Sequence, residues 1–235
     1  MKPLLLLLAL PVAAHASWFE YEAGLGAAQG VKSDGRWYNA GLPNSTGSTA
    51  PSVRLGAQMN VSEPDHFVPG VKLHLTYNWL GSYNWSAIAG EDEDAAHTSG
   101  YNPATKSCNN GVCGPERRFE TSGWTQTLAL TVEPYWNLGA GWHAGFELGP
   151  AVYVSKMDST AINIAQSRFG APGVEEHFHH VQAPHFGAVG GASVGYKNWT
   201  LRYTYTWTPY KAERDGNYVP PAMNGYHQVT LNYNW

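Results

Sequence analysis

The stretch Val229-Thr230-Leu231-Asn232-Tyr233-Asn234-Trp235 alternates without a break. Val229, Leu231, Tyr233 and Trp235 occupy one phase, and Thr230, Asn232 and Asn234 the other, with Gln228 extending the polar phase backwards. Successive side chains of a strand point to opposite faces, so this segment reads as a strand with one apolar and one polar face. Its large terminal aromatic lies on the apolar face. The question is which solvent that face meets.

Seven further runs share the pattern. The first sets Phe19, Tyr21, Ala23, Leu25 and Ala27 against Glu20, Glu22, Gly24 and Gly26. The second sets Val53, Leu55, Ala57, Met59 and Val61 against Arg54, Gly56, Gln58 and Asn60. The third sets Val71, Leu73, Leu75, Tyr77 and Trp79 against Lys72, His74, Thr76 and Asn78. The fourth runs from Trp124 through Leu128, Leu130 and Val132 to Trp136, with Thr127, Ala129, Thr131 and Glu133 opposed. The fifth sets Trp142, Ala144, Phe146, Leu148, Val152 and Val154 against His143, Gly145, Glu147 and Gly149. The sixth, Phe186 to Tyr196, opposes His185, Gly187, Gly191 and Ser193; the seventh, Trp199 to Trp207, opposes Thr200, Arg202, Thr204 and Thr206. The closing run is the eighth.

Connections after the second, fourth and sixth runs are short, whereas those after the first, third, fifth and seventh are long, about residues 30–51, 81–122, 156–180 and 209–224. An even number of alternating strands with short turns at one end and long loops at the other defines an all-β, eight-stranded, antiparallel up-and-down transmembrane β-barrel, its short turns periplasmic and its long loops extracellular. The apolar phase carries aromatics near the run ends, notably Trp79, Trp124, Trp136, Trp142, Trp199, Tyr205 and Trp207, with aliphatics between them. That is the pattern of interfacial girdles facing lipid. A secreted sandwich or lipocalin-like barrel would turn this phase to an internal core.

The N-terminus supports export. Lys2 precedes an apolar run, Leu4 to Ala14, that is too short for a membrane helix of about 20 residues and ends in Ala14-His15-Ala16. Residues 1–16 read as a signal peptide, leaving one barrel domain from Ser17 to Trp235. Charged residues make up only 14% of the chain, and a net charge of −4 gives no basic footprint for nucleic acid. Cys108 and Cys113, separated by turn-forming Asn-Asn-Gly-Val, are expected to form a disulfide pinning a loop tip in an oxidising compartment. No cofactor is expected.

A signal peptide, eight alternating strands and a terminal aromatic make the chain resemble the small eight-stranded outer-membrane proteins, the OmpA transmembrane domain and OmpX type, over its whole mature length. The resemblance implies a monomer in the bacterial outer membrane, among bilayer lipid and lipopolysaccharide. It also implies that Val229, Leu231, Tyr233 and Trp235 are read by the outer-membrane assembly machinery. Functions in the family are structural or surface-interacting, and loops reach extracellular proteins or host surfaces; some members are lipid A acyl hydrolases or acyltransferases.

The polar phases define the expected lumen: Glu20, Glu22, Glu133 and Glu147, the fixed cations Arg54, Lys72 and Arg202, and His74, His143 and His185. Charges this balanced in an eight-stranded barrel, whose interior is just wide enough for side chains to fill, are expected to pair and plug rather than conduct. Glycines on the same phase, such as Gly56 and Gly145, are expected to make room for long residues from opposite strands. The runner-up readings are a narrow pore and a lipid A-modifying enzyme. The latter would need an oriented base beside a serine, and His97-Thr98-Ser99 lies in a long loop beside Glu91 to Asp94.

In the third long loop, His177 and His179 would share a face if extended, a spacing that suits Zn²⁺, Cu²⁺ or Ni²⁺. A polar rim near lipid head groups is the expectation instead, with no metal and a short helix around Thr160 to Ser167. Alternation past Trp79 through Tyr83 and Trp85, and on the return side from Phe119, predicts a hairpin protruding beyond the bilayer, whose edge would recruit an extended partner. Trp37 and Tyr38 are further candidate surface contacts.

Changing Trp235 to Asp should reduce barrel insertion more than the same change at Trp37 in the first loop. The measurement is the folded, heat-modifiable fraction in isolated outer membranes, and equal insertion of both variants would refute the role of the terminal strand.

Overall fold

The computed structural model describes residues 19–32, 44–65, 67–89, 101–102, 107–108, 117–164, 171–181, 184–209 and 223–235. In chain order the strands are β1 (Phe19–Lys32), β2 (Asn44–Gly47), β3 (Thr49–Ser62), β4 (Gly70–Ala89), β5 (Tyr101–Asn102), β6 (Ser107–Cys108), β7 (Arg117–Gly139), β8 (Trp142–Asn163), β9 (Glu175–Val181), β10 (His185–Tyr196), β11 (Trp199–Trp207) and β12 (Met223–Asn234). Eight of them form a ring, β1-β3-β4-β7-β8-β10-β11-β12, closed by β12 on β1. Every neighbouring pair is antiparallel.

Closure sets Ala23 opposite Tyr233, Leu25 opposite Leu231 and Ala27 opposite Val229. Two residues beyond the Ala23–Tyr233 pair, Trp235 exchanges backbone hydrogen bonds with Tyr21, at 3.0 and 3.1 Å. The barrel leaves no strand edge through this zone, as a hydrocarbon solvent demands.

The two phases separate as a membrane requires. Leu25 is 72% and Leu148 70% exposed on the outside, while Arg54 is 1% and His74 0% exposed within. This polarity is inverted relative to a soluble sandwich. At the turn end, a belt of rings links neighbouring strands: Trp142 against Tyr196 at 5.2 Å, Trp199 against Tyr233 at 5.0 Å and Tyr21 against Trp235 at 6.1 Å between centroids. Trp136 packs edge-on near Phe146. At the other end the outward aromatics are Trp79, Trp124, Tyr205 and Trp207.

The turns are built for tightness. Ala140 and Gly141, between β7 and β8, both have positive φ, which matches the twist of a two-residue hairpin. Lys197, at φ 53°, does the same between β10 and β11.

Above the outer girdle β4, β7 and β8 continue, still paired up to Ala89↔Arg117 and Arg117↔Asn163. β2 joins the free edge of β4, and β9 joins β8 over Lys156 to Ile162, where β10 has left it. The result is a five-stranded projecting sheet, β2-β4-β7-β8-β9.

Two expectations are corrected here. Thr160 to Asn163 close strand β8 rather than start a helix, because their backbones pair with β7 and β9. Tyr83 does not continue the outward phase of Trp79. A bulge between Trp79 and Ser82, centred on Gly81 at φ 79°, inserts one residue and reverses the parity. Ser82 and Asn84 then face out, and Tyr83 turns inward to 3% exposure against Ala28, Leu80, Met223 and Tyr226. The signal peptide, Trp37, Tyr38, Glu91 to Asp94, His97 to Ser99 and Cys113 lie outside the described residues, so the Cys108–Cys113 disulfide does too.

Replacing Gly81 by Val should destabilise the barrel by roughly 1–3 kcal/mol, since the new residue must hold a positive φ. Its Cβ would also stand 2.6 Å from the Ala50 Cβ and 2.7 Å from the Pro51 carbonyl oxygen. Urea unfolding in liposomes measures this; the outward Ser82→Val change should cost much less.

Candidate functional site

Charged and imidazole side chains inside the barrel come from six strands. Arg54 of β3 donates through Nε to Glu22 Oε1 of β1 at 2.8 Å and through its two terminal nitrogens to Glu147 of β8 at 3.2 and 3.0 Å. Arg202 of β11 donates to Glu147 Oε2 at 2.9 Å and to Glu133 Oε2 of β7 at 3.1 Å. Glu147 is therefore shared by both guanidiniums. Ser193 donates to Glu133, and Thr131 donates to Glu147 at 3.5 Å. His74 Nε2 lies 2.6 Å from Glu133 Oε2.

Three carboxylates thus face two guanidiniums and one imidazole, all at most 4% exposed. Charges so desolvated are tolerable only where each has close partners of opposite sign. The space for them comes from glycine. A Cβ on Gly145 would stand 2.4 Å from Glu133 Oε1, and one on Gly56 would stand 3.0 Å from Glu22 Oε1. The side chains these glycines admit come from adjacent strands, not opposite ones: Gly56 is the register partner of Glu22, and Gly145 lies diagonally across from Glu133.

Six of the ten expected lumen residues therefore form one cluster: Glu22, Arg54, His74, Glu133, Glu147 and Arg202. Three line a separate vestibule of about 280 Å³ at the turn end. There Gln58 donates to Glu20, His143 Nε2 is 3.3 Å from Thr200 Oγ1, and Lys72 Nζ sits 4.7 Å from the centroid of the Tyr135 ring. The tenth, His185, is exposed at the outer rim with its ring near Tyr153. Ser193 and Gln58 completed these contacts unforeseen. Both stand on the polar phases of their runs, but being uncharged they gave no signal.

Toward the loop end the interior holds two apolar patches among buried hydroxyl and amide side chains such as Thr125, Thr206 and Asn78. Ala129, Ala151 and Val189 form one patch, and Ala28, Leu80, Tyr83, Met223 and Tyr226 another. Tyr226 also bonds across to Thr125 Oγ1 of β7 at 2.7 Å.

The outer face of the projecting sheet holds a second arrangement. Cross-strand partners place Asn84, Ser122, Asp158 and His179 in one row, and Ser86, Glu120, Thr160 and His177 in the next. These rows line a concave recess of about 610 Å³. Asp158 accepts from Lys156 at 2.7 Å and pairs with His179 Nδ1; both contacts hold its carboxyl below the usual carboxylate range. Thr160 Oγ1 is 3.1 Å from His177 Nδ1. Among the described residues no group of three or more His, Cys, Asp or Glu side chains is placed to hold a metal ion.

No family model matches the chain, and no curated protein matches it. Solved structures similar to it include the attachment invasion locus protein Ail of Yersinia pestis, in complex with the heparin analogue sucrose octasulfate, at 9% identity and TM-score 0.35, covering 93% of this chain and 99% of that one. The outer membrane enzyme PagL aligns at 10% identity and TM-score 0.32, over 90% and 97%. Neisserial surface protein A aligns at 9% identity and TM-score 0.33, over 92% and 95%.

A closed eight-stranded ring with lipid-type polarity is a transmembrane β-barrel, and this one is a small barrel of the bacterial outer-membrane type.

Arg202→Ala should lower barrel stability by about 3–5 kcal/mol, because it leaves Glu133 and Glu147 buried with fewer partners. The double change Arg202→Met with Glu147→Met should cost less than the two single changes combined. Unfolding midpoints in urea would check this, and additive losses would refute the coupling.

Proposed function

We propose that the protein is a monomeric, non-enzymatic surface protein whose barrel is a plugged anchor and whose projecting sheet is the interaction element. The observation that carries this reading is the continuation of β4, β7 and β8 above the outer girdle, widened by β2 and β9. A barrel that needed only to span lipid would stop at its aromatic belt. β9 is a seven-residue edge strand, largely exposed, and such an edge recruits extended segments by main-chain hydrogen bonding. An extracellular protein or a host surface is the partner class that suits it. Assembly into the membrane would use the terminal strand, with Trp235 as its last residue.

The plug is supported by the cluster around Glu147 and by the patch of Leu80, Tyr83, Met223 and Tyr226 above it, in a barrel already narrow for water. A lipid A-modifying activity has less support. It would need a serine nucleophile hydrogen-bonded to its base, and the imidazole–hydroxyl pair at the recess, His177 with Thr160, is widely exposed.

In planar bilayers the purified protein should give no stable single-channel steps; a reproducible unitary conductance would overturn the plug. Lipid A from cells expressing it should keep its acylation. Lysines at both ends of β9, Glu175→Lys with Val181→Lys, should blunt the edge and reduce attachment of expressing cells to immobilised matrix protein toward the empty-vector level. Unchanged attachment would refute the edge as the binding element.

A further inference from the structure

We propose that the vestibule at the turn end of the barrel, open to the periplasm, binds an amino-acid zwitterion. Such a ligand carries an ammonium and a carboxylate close together, as a free amino acid or a short peptide does. The site lies at the opposite end of the molecule from the projecting sheet and does not depend on it.

The walls set the size. At the turn end the lumen opens into a recess of about 280 Å³, lined in part by Tyr135 of β7, Trp142 of β8 and Trp235 after β12. Tyr135 is fixed in place. A Cβ on Gly70 would stand 2.6 Å from its Cε1, so the ring uses the space that glycine leaves, and its hydroxyl donates to Glu63 at 3.1 Å. The volume falls just short of the roughly 300 Å³ at which pockets for drug-sized ligands begin. It suits one amino acid or a very short peptide and is small for an oligosaccharide.

The polar groups then select the ligand. Asn234 is 8% exposed and lines the recess. Its Nδ2 donates to Thr200 Oγ1 at 3.2 Å, and its Oδ1 has no donor among the described residues. A buried carbonyl oxygen without a donor is unfavourable, and a donor entering from the recess relieves it. Glu20 stands on the neighbouring strand β1, where Glu22 is the register partner of Asn234. Its carboxylate accepts from Gln58, a neutral donor that leaves the charge in place. A carboxylate and an unpartnered amide oxygen on adjacent strands make a pole for an ammonium, all of whose N–H groups donate.

Ammonium groups flank that pole on either side. Lys72 lies two strands round the ring on β4, and Lys197 lies on the turn into β11, the strand beside β12. Each leans on a ring: Lys72 Nζ is 4.7 Å from the centroid of Tyr135, and Lys197 Nζ is 5.2 Å from that of Tyr196. A cation over a ring keeps its donors for a ligand carboxylate. The signs disfavour simpler ligands. A bare anion would meet Glu20 and Glu63, and a bare cation would meet Lys72 and Lys197. A zwitterion meets each pole with the opposite charge, and its side chain packs on Trp142 and Trp235.

The test uses the full-length protein in nanodiscs with isotope-labelled tryptophan, the indole resonances being assigned with Trp142→Phe and Trp235→Phe. The probes are L-alanyl-L-alanine, L-alanine, and N-acetyl-L-alanyl-L-alanine amide, which carries neither charge. The Trp142 and Trp235 resonances should shift saturably with the dipeptide and stay in place with the blocked peptide. Glu20→Gln with Lys72→Met should raise the dissociation constant about tenfold, the loss of about 1.4 kcal/mol. Lys197→Met, on an exposed turn, should raise it in the same direction, and heat-modifiable migration checks that each variant folds. Tighter binding of the dipeptide than of L-alanine assigns a peptide as the occupant, and equal binding assigns the amino acid; both uphold the zwitterion. Equal shifts with the blocked peptide, shifts that fail to saturate at millimolar dipeptide, or unchanged affinity in the folded variants would overturn the inference.

Discussion

Every backbone amide and carbonyl between the two aromatic belts must find its partner inside the protein, because hydrocarbon offers none. The pairing of β12 with β1, continued by the reciprocal bonds between Trp235 and Tyr21, meets that constraint where the first and last strands join. Everything else follows from it. A closed ring has an inside and an outside, and alternation assigns each residue to one of them. The outside must then be apolar across the bilayer, and the polar half of every strand has nowhere to go but inward.

An interior filled by polar phases is an electrostatic problem. Eight strands leave too little room for bulk water to solvate six charged or polar-ring side chains, so they solvate each other. Glu147 lies between Arg54 and Arg202, and Glu133 between Arg202 and His74. Glycine on the adjacent strand clears the space that two of the carboxylates need, Gly145 for Glu133 and Gly56 for Glu22. In this narrow barrel the charged residues of the polar phases bond to one another.

Above the outer girdle the constraint lapses, and the sheet changes character. Water replaces lipid outside, so the outward face no longer has to be apolar, and Ser122, Glu120, Asp158 and Thr160 succeed Trp124 and Val154. The bulge at Gly81 marks the same transition on β4, turning Tyr83 inward and Asn84 outward. The exposed edge and the polar face of the extension are both products of strands outlasting the membrane.

The strand count, the closure and the direction of each membrane-spanning residue were legible in the sequence, because period-two alternation in lipid admits one arrangement. The charge inventory of the lumen was legible for the same reason. Which charges would meet was not. That Arg54 reaches both Glu22 and Glu147, that Lys72 settles over Tyr135 and that His185 stays at the rim depend on register and shear between strands far apart in sequence. The projecting sheet was only half visible: where both faces of a strand are polar or a bulge resets the phase, as from Ser82 to Ser86 and from Lys156 to Asn163, alternation no longer reports direction. There only cross-strand pairing, a property of the tertiary structure, decides which side chains stand together.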